Sequence, residues 1–216
     1  MIVLALDTCL AACSASVADE GRLITRRSEP MARGHQERLA PMVRDLMGEA
    51  GLAFNALDRI GVTVGPGSFT GLRVGLAFAK GLALALDRPC VGVGTLEALA
   101  ASAEAPGYRA AVIDAGRGQV YLQVFAAGRA LTAPDILPLA DAARVIEAHG
   151  AGETTLVGPG ARLMAGVVAS ALCVDLAAPT PEAVARLASG AAPAAPRPLY
   201  LRPPDARLPD ARLRAT

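Results

Sequence analysis

Residues 60–86 read IGVTVGPGSFTGLRVGLAFAKGLALAL and carry the clearest structural signal in the chain. Residues 60–64 are typical of a buried strand, Gly65-Pro66-Gly67 of a tight turn, and residues 68–86 of a long helix. This helix is apolar on nearly every side, so other elements must cover several of its faces. A strand that turns directly into such a helix predicts an α/β fold.

Further elements are predicted on both sides of this stretch. Three strands come before it, at residues 2–7, 11–18 and 22–28. An amphipathic helix follows, since apolar residues recur at helical spacing at Leu39, Met42, Val43, Leu46 and Met47. Beyond the long helix, residues 90–93 predict a strand and residues 96–103 a helix. The first half of the chain therefore has the order βββαβαβα.

The second half repeats the first in a weaker form. Leu6-Asp7 is matched by Ile113-Asp114, and the segment 63–67 is matched by 156–160, each a strand that runs into a turn. Two such echoes in the same order indicate a duplication. A duplicated βββαβαβα unit is the plan of the actin, Hsp70 and sugar-kinase superfamily, the actin-like ATPase fold, whose two lobes enclose a nucleotide cleft. We expect this α/β fold here, with the second lobe abbreviated.

Three regions are predicted along the chain. Residues 1–106 form a first lobe that carries the partner-binding helices, residues 107–190 form a second, abbreviated lobe, and residues 191–216 form an extended tail. The tail contains six prolines between positions 193 and 209. Proline lacks a backbone N–H and cannot continue regular structure, so this tail is expected to be ordered by docking if at all.

The composition narrows the classes of function. Lys+Arg number 21 and Asp+Glu 20, so the net charge of +1 argues against strong direct binding of RNA. The four cysteines lack paired CxxC spacing, which predicts buried reduced thiols rather than a zinc site. The N-terminus has no basic stretch before its first apolar strand, and the longest apolar run, near residues 82–86, is too short for a bilayer. These features predict a cytoplasmic protein with no membrane contact.

Two glycine patterns each leave two interpretations open. The loop at residues 65–71 joins a strand to a helix, where N–H groups can receive an anion, yet it matches neither the P-loop nor the GxGxxG pattern. It is either a structural turn or a phosphate cradle. Small residues also recur every fourth position at Gly67, Gly71, Gly75, Ala79 and Ala83. That row packs on its own sheet alone, or the helix also contributes to an interface with another subunit.

Polar residues at the strand ends are candidates for an interlobe site. Asp7 and Asp114 end matching strands, so both carboxyl groups can face the cleft, or each can cap local N–H groups. The candidate residues for a vestigial nucleotide cleft are Asp7, Thr8, Gly67, Ser68 and Asp114. His35 and His149 have no metal-ligand spacing, and a capping or solvent-facing role is expected for them.

Residues 65–75, GPGSFTGLRVG, resemble the signature of the TsaB family, also called YeaZ. Other segments that resemble this family are residues 4–8, 35–39, 80–83, 92–99, 114–121 and 200–203, so the resemblance covers nearly the whole chain. Two departures are minor: Gln36 stands where relatives usually have Ser, and Ala115-Gly116-Arg117 replaces an Ala-Arg pair. Neither threatens the fold.

The resemblance implies a non-catalytic subunit in the synthesis of threonylcarbamoyladenosine (t6A37) on tRNA. The paralogous catalytic subunit TsaD carries a His-x-x-x-His metal pair in the segment that matches residues 93–100, where this chain has Thr95 and Leu99. Leucine cannot ligate a metal and threonine is a poor substitute for imidazole. We therefore expect no catalytic residue, no metal and no cofactor in this subunit, while the complex uses ATP.

The resemblance also implies partners. TsaD is expected to form a heterodimer with this chain, TsaE to join later, and tRNA to bind only through the complex; the chain alone is expected to form a homodimer. The candidate contact residues are Leu39, Met42, Val43, Leu46, Phe69, Leu72, Arg73, Leu76 and Lys80. The alternative is an enzyme in its own right, an ATPase or a glycoprotease-like hydrolase that uses the interlobe cleft.

Overall fold

Two mixed β-sheets organise the chain in this computed structural model, which describes residues 1–105, 107–150, 153–168 and 171–202. The first sheet has the order β3-β2-β1-β4-β5. Its strands are β1 (Ile2–Asp7), β2 (Ala12–Asp19), β3 (Arg22–Pro30), β4 (Arg59–Thr63) and β5 (Cys90–Val93). The second sheet has the order β11-β10-β6-β7-β8, with β9 paired to β7. Its strands are β6 (Tyr108–Gly116), β7 (Gln119–Ala126), β8 (Arg129–Ala130), β9 (Asp135–Pro138), β10 (Thr154–Val157) and β11 (Leu172–Val174).

Helices cover both faces of the first sheet. Alternate residues of β1 point to opposite faces, so Leu4 and Leu6 join one core while Val3 and Ala5 join another. The helices α1 (His35–Glu49) and α2 (Phe69–Leu86) cover the side of Leu4 and Leu6, and a short 3-10 helix (Phe54–Ala56) links α1 to β4. A strand buried on both faces has a continuous apolar run in its sequence, which is why residues 2–7 were recognisable as a strand.

The last helix of each half packs on the sheet of the other half. α3 (Thr95–Ser102) follows the first sheet in the chain but lies on β6 and β7, whereas α6 (Pro181–Gly190) follows the second sheet and lies on β1 and β4. An arginine from the sheet on which each helix packs binds carbonyl oxygens at the C-terminal end of that helix. For α6, Arg59 Nη1 donates to the carbonyl oxygens of Ala188 and Ala191 at 2.9 and 2.8 Å. Arg109 Nη1 donates to Ala100 O and Ala103 O, both at 3.1 Å. The two halves are therefore interlocked.

The second half has the same order of elements in shorter form. α4 (Leu139–His149) and α5 (Ala161–Ala165) cover one face of the second sheet, and α3 covers the other. The helix that corresponds to the 18-residue α2 is α5, with only 5 residues. The actin-like fold and the abbreviation of the second lobe are thus both confirmed.

The length and apolar composition of α2 correct one sequence-based expectation. By these two criteria alone α2 is long and apolar enough to cross a membrane, so the prediction that no apolar stretch reaches that length was wrong. Arg73 and Lys80 are the two charged residues of α2 and lie about two helical turns apart. The buried residues of α2 pack against the first sheet as those of a core helix do. The cytoplasmic location stays a prediction.

Candidate functional site

Three loops of the first lobe meet at one edge of its sheet. β1, β4 and β5 are parallel neighbours, so their carboxyl ends lie together. Asp7 ends the first of these strands and Thr8 follows it, while Gly65-Pro66-Gly67 comes after the second and Gly94-Thr95 after the third. In open α/β sheets this edge is where ligands bind, which makes it the candidate functional site.

The carboxyl group of Asp7 is sealed inside this edge. The residue is 1% exposed, and its Oδ1 accepts hydrogen bonds from Thr63 Oγ1 at 2.6 Å and from the Cys9 backbone N at 3.1 Å. Oδ2 is buried and has no hydrogen-bond partner among the described residues. Burial raises the pKa of Asp7 above its ordinary value, although the hydrogen bonds from Thr63 and Cys9 act in the opposite direction.

The raised pKa of Asp7 predicts a specific pH dependence of stability. Above the ordinary pKa of 3.8, the unfolded chain loses the Asp7 proton while the folded chain still holds it. Stability therefore falls as the pH rises from that value through the raised folded-state pKa. The Asp7→Asn variant has no carboxyl group to ionise at this position, so it should not share this loss. We therefore expect its melting temperature to rise by a few degrees relative to that of the parent chain between pH 4.5 and pH 8, measured by calorimetry.

The matched control is Asp114→Asn, because that carboxyl group stands at the equivalent strand end but is exposed. Parallel pH profiles for Asp7→Asn and the parent would contradict the desolvation of Asp7.

The chain's own backbone fills the space beside the glycine loop. A Cβ atom on Gly67 would lie 2.3 Å from Cys9 O, and one on Gly71 would lie 2.0 Å from Thr8 O. Thr8 is buried and donates from Oγ1 to Gly71 O at 2.7 Å. The glycines therefore let α2 approach the end of β1 closely, which favours the structural-turn interpretation of the loop over the phosphate cradle.

The remaining cleft candidates do not share the environment of Asp7. Ser68 is exposed and caps α2, accepting from Gly71 N at 3.3 Å, while its own N–H donates to Cys9 O at 2.7 Å. Asp114 is exposed, and its Oδ1 accepts from Gly116 N at 2.7 Å. Both serve local capping. As arranged, the five candidate residues do not fit an open nucleotide site, because Asp7 and Thr8 are sealed away from Ser68 and Asp114.

The positions that the resemblance matches to metal ligands lie inside the protein. Thr95 and Leu99 are both completely buried on α3. Leu99 packs with Ile113, Phe125 and Val157 of the second half, so it helps to join the two sheets. An apolar contact between the lobes thus occupies this helix face.

The cysteines and histidines correct two smaller expectations. Burial raises the pKa of Cys9 to about 12, and Cys13 is also buried. Cys90 is only partly buried and Cys173 is exposed, so the prediction of buried thiols was wrong for these two. His35 is buried at the start of α1 with Nε2 3.2 Å from Ala12 O, so it is neither a cap nor solvent-facing. Sequence periodicity could not show this, because the partner carbonyl lies 23 residues away along the chain.

Six of the nine predicted contact residues belong to the core of their own lobe. The six are Leu39, Met42, Val43, Leu46, Leu72 and Leu76. They hold α1 and α2 against the first sheet and cannot reach a partner while these helices stay folded, so the prediction was wrong for them. The apolar face of an amphipathic helix marks its buried side, and here that side meets the chain's own strands.

The other three predicted contact residues lie on the opposite side of α2, which we term the outer face. Its exposed residues are Phe69, Thr70, Arg73, Ala77, Lys80, Gly81, Leu84 and Ala85. Phe69 is 49% exposed and Leu84 is 84% exposed. Leu84 is the residue that the sequence reasoning missed; it lies across the helix from the small-residue row and could have been found there.

The arrangement defines the class of the protein, an α/β protein of the actin-like fold. Its strand-end edge is closed by the chain's own atoms, and its longest helix exposes Phe69 and Leu84 to solvent. The model of the TsaD family, tRNA N6-adenosine threonylcarbamoyltransferase, matches residues 28–186. The chain belongs to the TsaB (YeaZ) family, whose members are related to TsaD.

Individual relatives agree with this assignment. The tRNA threonylcarbamoyladenosine biosynthesis protein TsaB of Escherichia coli K12 is 37% identical over 124 residues, which span 56% of this chain and 53% of that protein. The match therefore covers about half the length of this relative. An uncharacterized protein of Mycobacterium tuberculosis H37Rv is 34% identical over 95% of this chain and 93% of its own length. The structure of YeaZ from Pseudomonas aeruginosa is 35% identical, with a TM-score of 0.80 over 93% of this chain and 99% of that one.

Proposed function

We propose that the chain is a non-catalytic subunit for the synthesis of threonylcarbamoyladenosine on tRNA, and that it pairs with a TsaD-type subunit and activates it. The pathway is taken from the names of its TsaB relatives. The observation that carries the non-catalytic role is the burial of Thr95 and Leu99, the two positions that the resemblance matches to the metal ligands of TsaD. Because Leu99 packs between the lobes there, this chain has neither the residues nor the space for a pair of metal-binding imidazoles.

The surface proposed for the TsaD-type subunit is the outer face of α2. It joins apolar side chains, Phe69 and Leu84, to the cations Arg73 and Lys80. Exposed apolar area of this kind on a helix is typical of a protein interface. The TsaD model matches this chain across α2, so the partner is expected to have a homologous helix that can pack on it, with acidic groups opposite the two cations.

The test is reconstitution of the transfer step. With threonylcarbamoyl-adenylate and tRNA, the chain alone is expected to modify no tRNA, whereas the TsaD-type subunit from the same organism should gain activity when the chain is added. Mass spectrometry of the tRNA nucleosides measures the product. Threonylcarbamoyl transfer by this chain without the TsaD-type subunit would overturn the non-catalytic role.

The alternative, an ATPase or hydrolase in its own right, has one observation in its favour: at the strand-end edge, Asp7 keeps a buried oxygen to which none of the described residues donates a hydrogen bond. Titration calorimetry with Mg-ATP distinguishes the two functions. The non-catalytic proposal predicts no saturable heat from the chain alone. Saturable binding that Asp7→Asn abolishes, while the variant stays folded, would favour the alternative.

A further inference from the structure

The C-terminal segment after α6 runs across the candidate site and touches both halves. Within the described residues, 191–202 contain no helix or strand. Residues 196–202, which we term the strap, nevertheless contact the rest of the fold through Pro196, Leu199, Tyr200 and Arg202. Three anchors follow one another: the loop edge of the first sheet, the outer face of α2, and the β6–β7 hairpin of the second sheet.

The first anchor holds the strap to the edge where β4 and β5 end. Leu199 N donates to Val64 O at 2.7 Å, in the manner of a short added strand. Pro196 packs over Gly92, where an added Cβ would lie at the ordinary contact distance of 3.4 Å from Pro196 Cβ. Leu199 O approaches Gly65 more closely, because a Cβ there would lie 3.0 Å from it. The strap therefore lies directly on the sheet edge.

The second anchor places Tyr200 on the outer face of α2. The rings of Tyr200 and Phe69 have centroids 5.5 Å apart, and Arg73 Cζ lies 3.6 Å from the centroid of the Phe69 ring. Arg73 Nε also donates to Tyr200 Oη at 3.3 Å. Tyr200 remains 46% exposed, so its ring extends the surface formed by Phe69 and Arg73.

The third anchor is Arg202, which reaches the second lobe. Its Nη1 donates to Ala115 O at 2.7 Å and its Nη2 to Gln119 Oε1 at 2.8 Å. Both acceptors flank the turn of the β6–β7 hairpin, directly after Asp114. Hydrogen bonds from a guanidinium are stronger than those between neutral groups, so Arg202 is a firm attachment.

We propose that the strap couples the outer face of α2 to the second lobe: a partner that covers Phe69 and Arg73 also holds Tyr200, and through Arg202 it steadies the β6–β7 hairpin. Only one residue separates Tyr200 from Arg202, a span of about 7 Å at most, so fixing the ring restricts the guanidinium. Ordering at one site that lowers the conformational freedom of another is a coupling between the two sites. The identity of the partner rests on the proposed function, whereas the coupling within the chain does not.

The coupling is tested first in the isolated chain by hydrogen–deuterium exchange at residues 114–120. Arg202→Ala should speed exchange of the hairpin about tenfold, because two charge-assisted hydrogen bonds are lost. Tyr200→Ala should also speed it, although the described contacts of Tyr200 are with α2 alone, whereas Tyr200→Phe keeps the ring and should have little effect. Arg197→Ala is the matched control, because it removes the same charge from an exposed position in the same segment. Unchanged exchange in Tyr200→Ala would overturn the coupling.

The second arm adds the TsaD-type subunit from the same organism. Its binding should slow hairpin exchange in the parent chain, but in Arg202→Ala it should bind without slowing it. Equal slowing in both chains would overturn the strap as the connecting element. If the subunit does not bind the parent chain, the proposed function fails, while the first arm still decides the coupling.

Discussion

Gly71→Ala is expected to destabilise the folded chain by more than about 4 kcal/mol, close to the whole stability of many domains. The new Cβ would lie 2.0 Å from Thr8 O, a backbone atom at the end of the central strand β1. Relief requires α2 to move away from the sheet, which opens the core around Leu72 and breaks the hydrogen bond from Thr8 Oγ1 to Gly71 O. Urea denaturation followed by circular dichroism measures the loss.

Gly81→Ala on the same helix is the matched control. In the part of the chain that the structure describes, no atom lies within 4 Å of a Cβ at that position, so the substitution should stabilise the chain by about 0.5–1 kcal/mol through helix propensity alone. Opposite signs for the same substitution on one helix would establish that the small-residue row serves packing on the chain's own sheet. Similar small effects at both positions would contradict the close approach of α2 to β1.

Leu84→Asp is expected to weaken association with the TsaD-type subunit by at least about a hundredfold while leaving the melting temperature of the isolated chain unchanged. Leu84 is 84% exposed, so an aspartate there meets water in the free chain. In the complex the same carboxylate would be taken out of water, which costs several kcal/mol unless it is paired. Surface plasmon resonance and thermal denaturation measure the two quantities.

Two further substitutions bracket this prediction. Leu76 is only 6% exposed, so Leu76→Asp places the same charge in the core and should prevent folding. Leu163→Asp puts it on an exposed leucine of α5 in the second half, and both folding and association should persist. If Leu84→Asp binds as tightly as Leu163→Asp does, the outer face of α2 is not the docking surface.

Local patterns predicted most of the elements. β1 and β5 have the predicted bounds, and α2 begins at Phe69, one residue after the predicted start. These successes have a physical cause, since strands buried on both faces are continuous apolar runs and the turn at Gly65-Pro66-Gly67 interrupts them. Ser68, the predicted first residue of α2, is its N-cap. The error of one residue therefore falls at a helix end, where boundaries differ by one or two residues between definitions.

Sequence periodicity did not show whether an apolar helix face packs on the chain's own sheet or on a partner. The small-residue row and the leucines of α1 and α2 were open to a partner-binding interpretation, because an apolar face shows that something covers it but does not identify the cover. In the folded chain, Thr8 and the strands beside it provide the cover for Gly71, Leu72 and Leu76. The exposed side with Phe69 and Leu84 became visible only once the buried side was assigned.

Local residue patterns in the sequence were enough to predict the order of elements, because each element depends on residue type and spacing within a few turns of chain. Two pairs of matching segments indicated the duplication, and the resemblance to the TsaB family implied that Thr95 and Leu99 stand where TsaD has metal ligands. Long-range packing settled the rest: the exchange of α3 and α6 between the sheets, the sealing of Asp7, and the path of the strap over both lobes. The hydrogen bonds of Arg59 to Ala188, Thr63 to Asp7 and Arg202 to Ala115 join residues that are 129, 56 and 87 positions apart in the chain. The energy of such contacts depends on how surfaces fit in three dimensions, and no local periodicity encodes that fit.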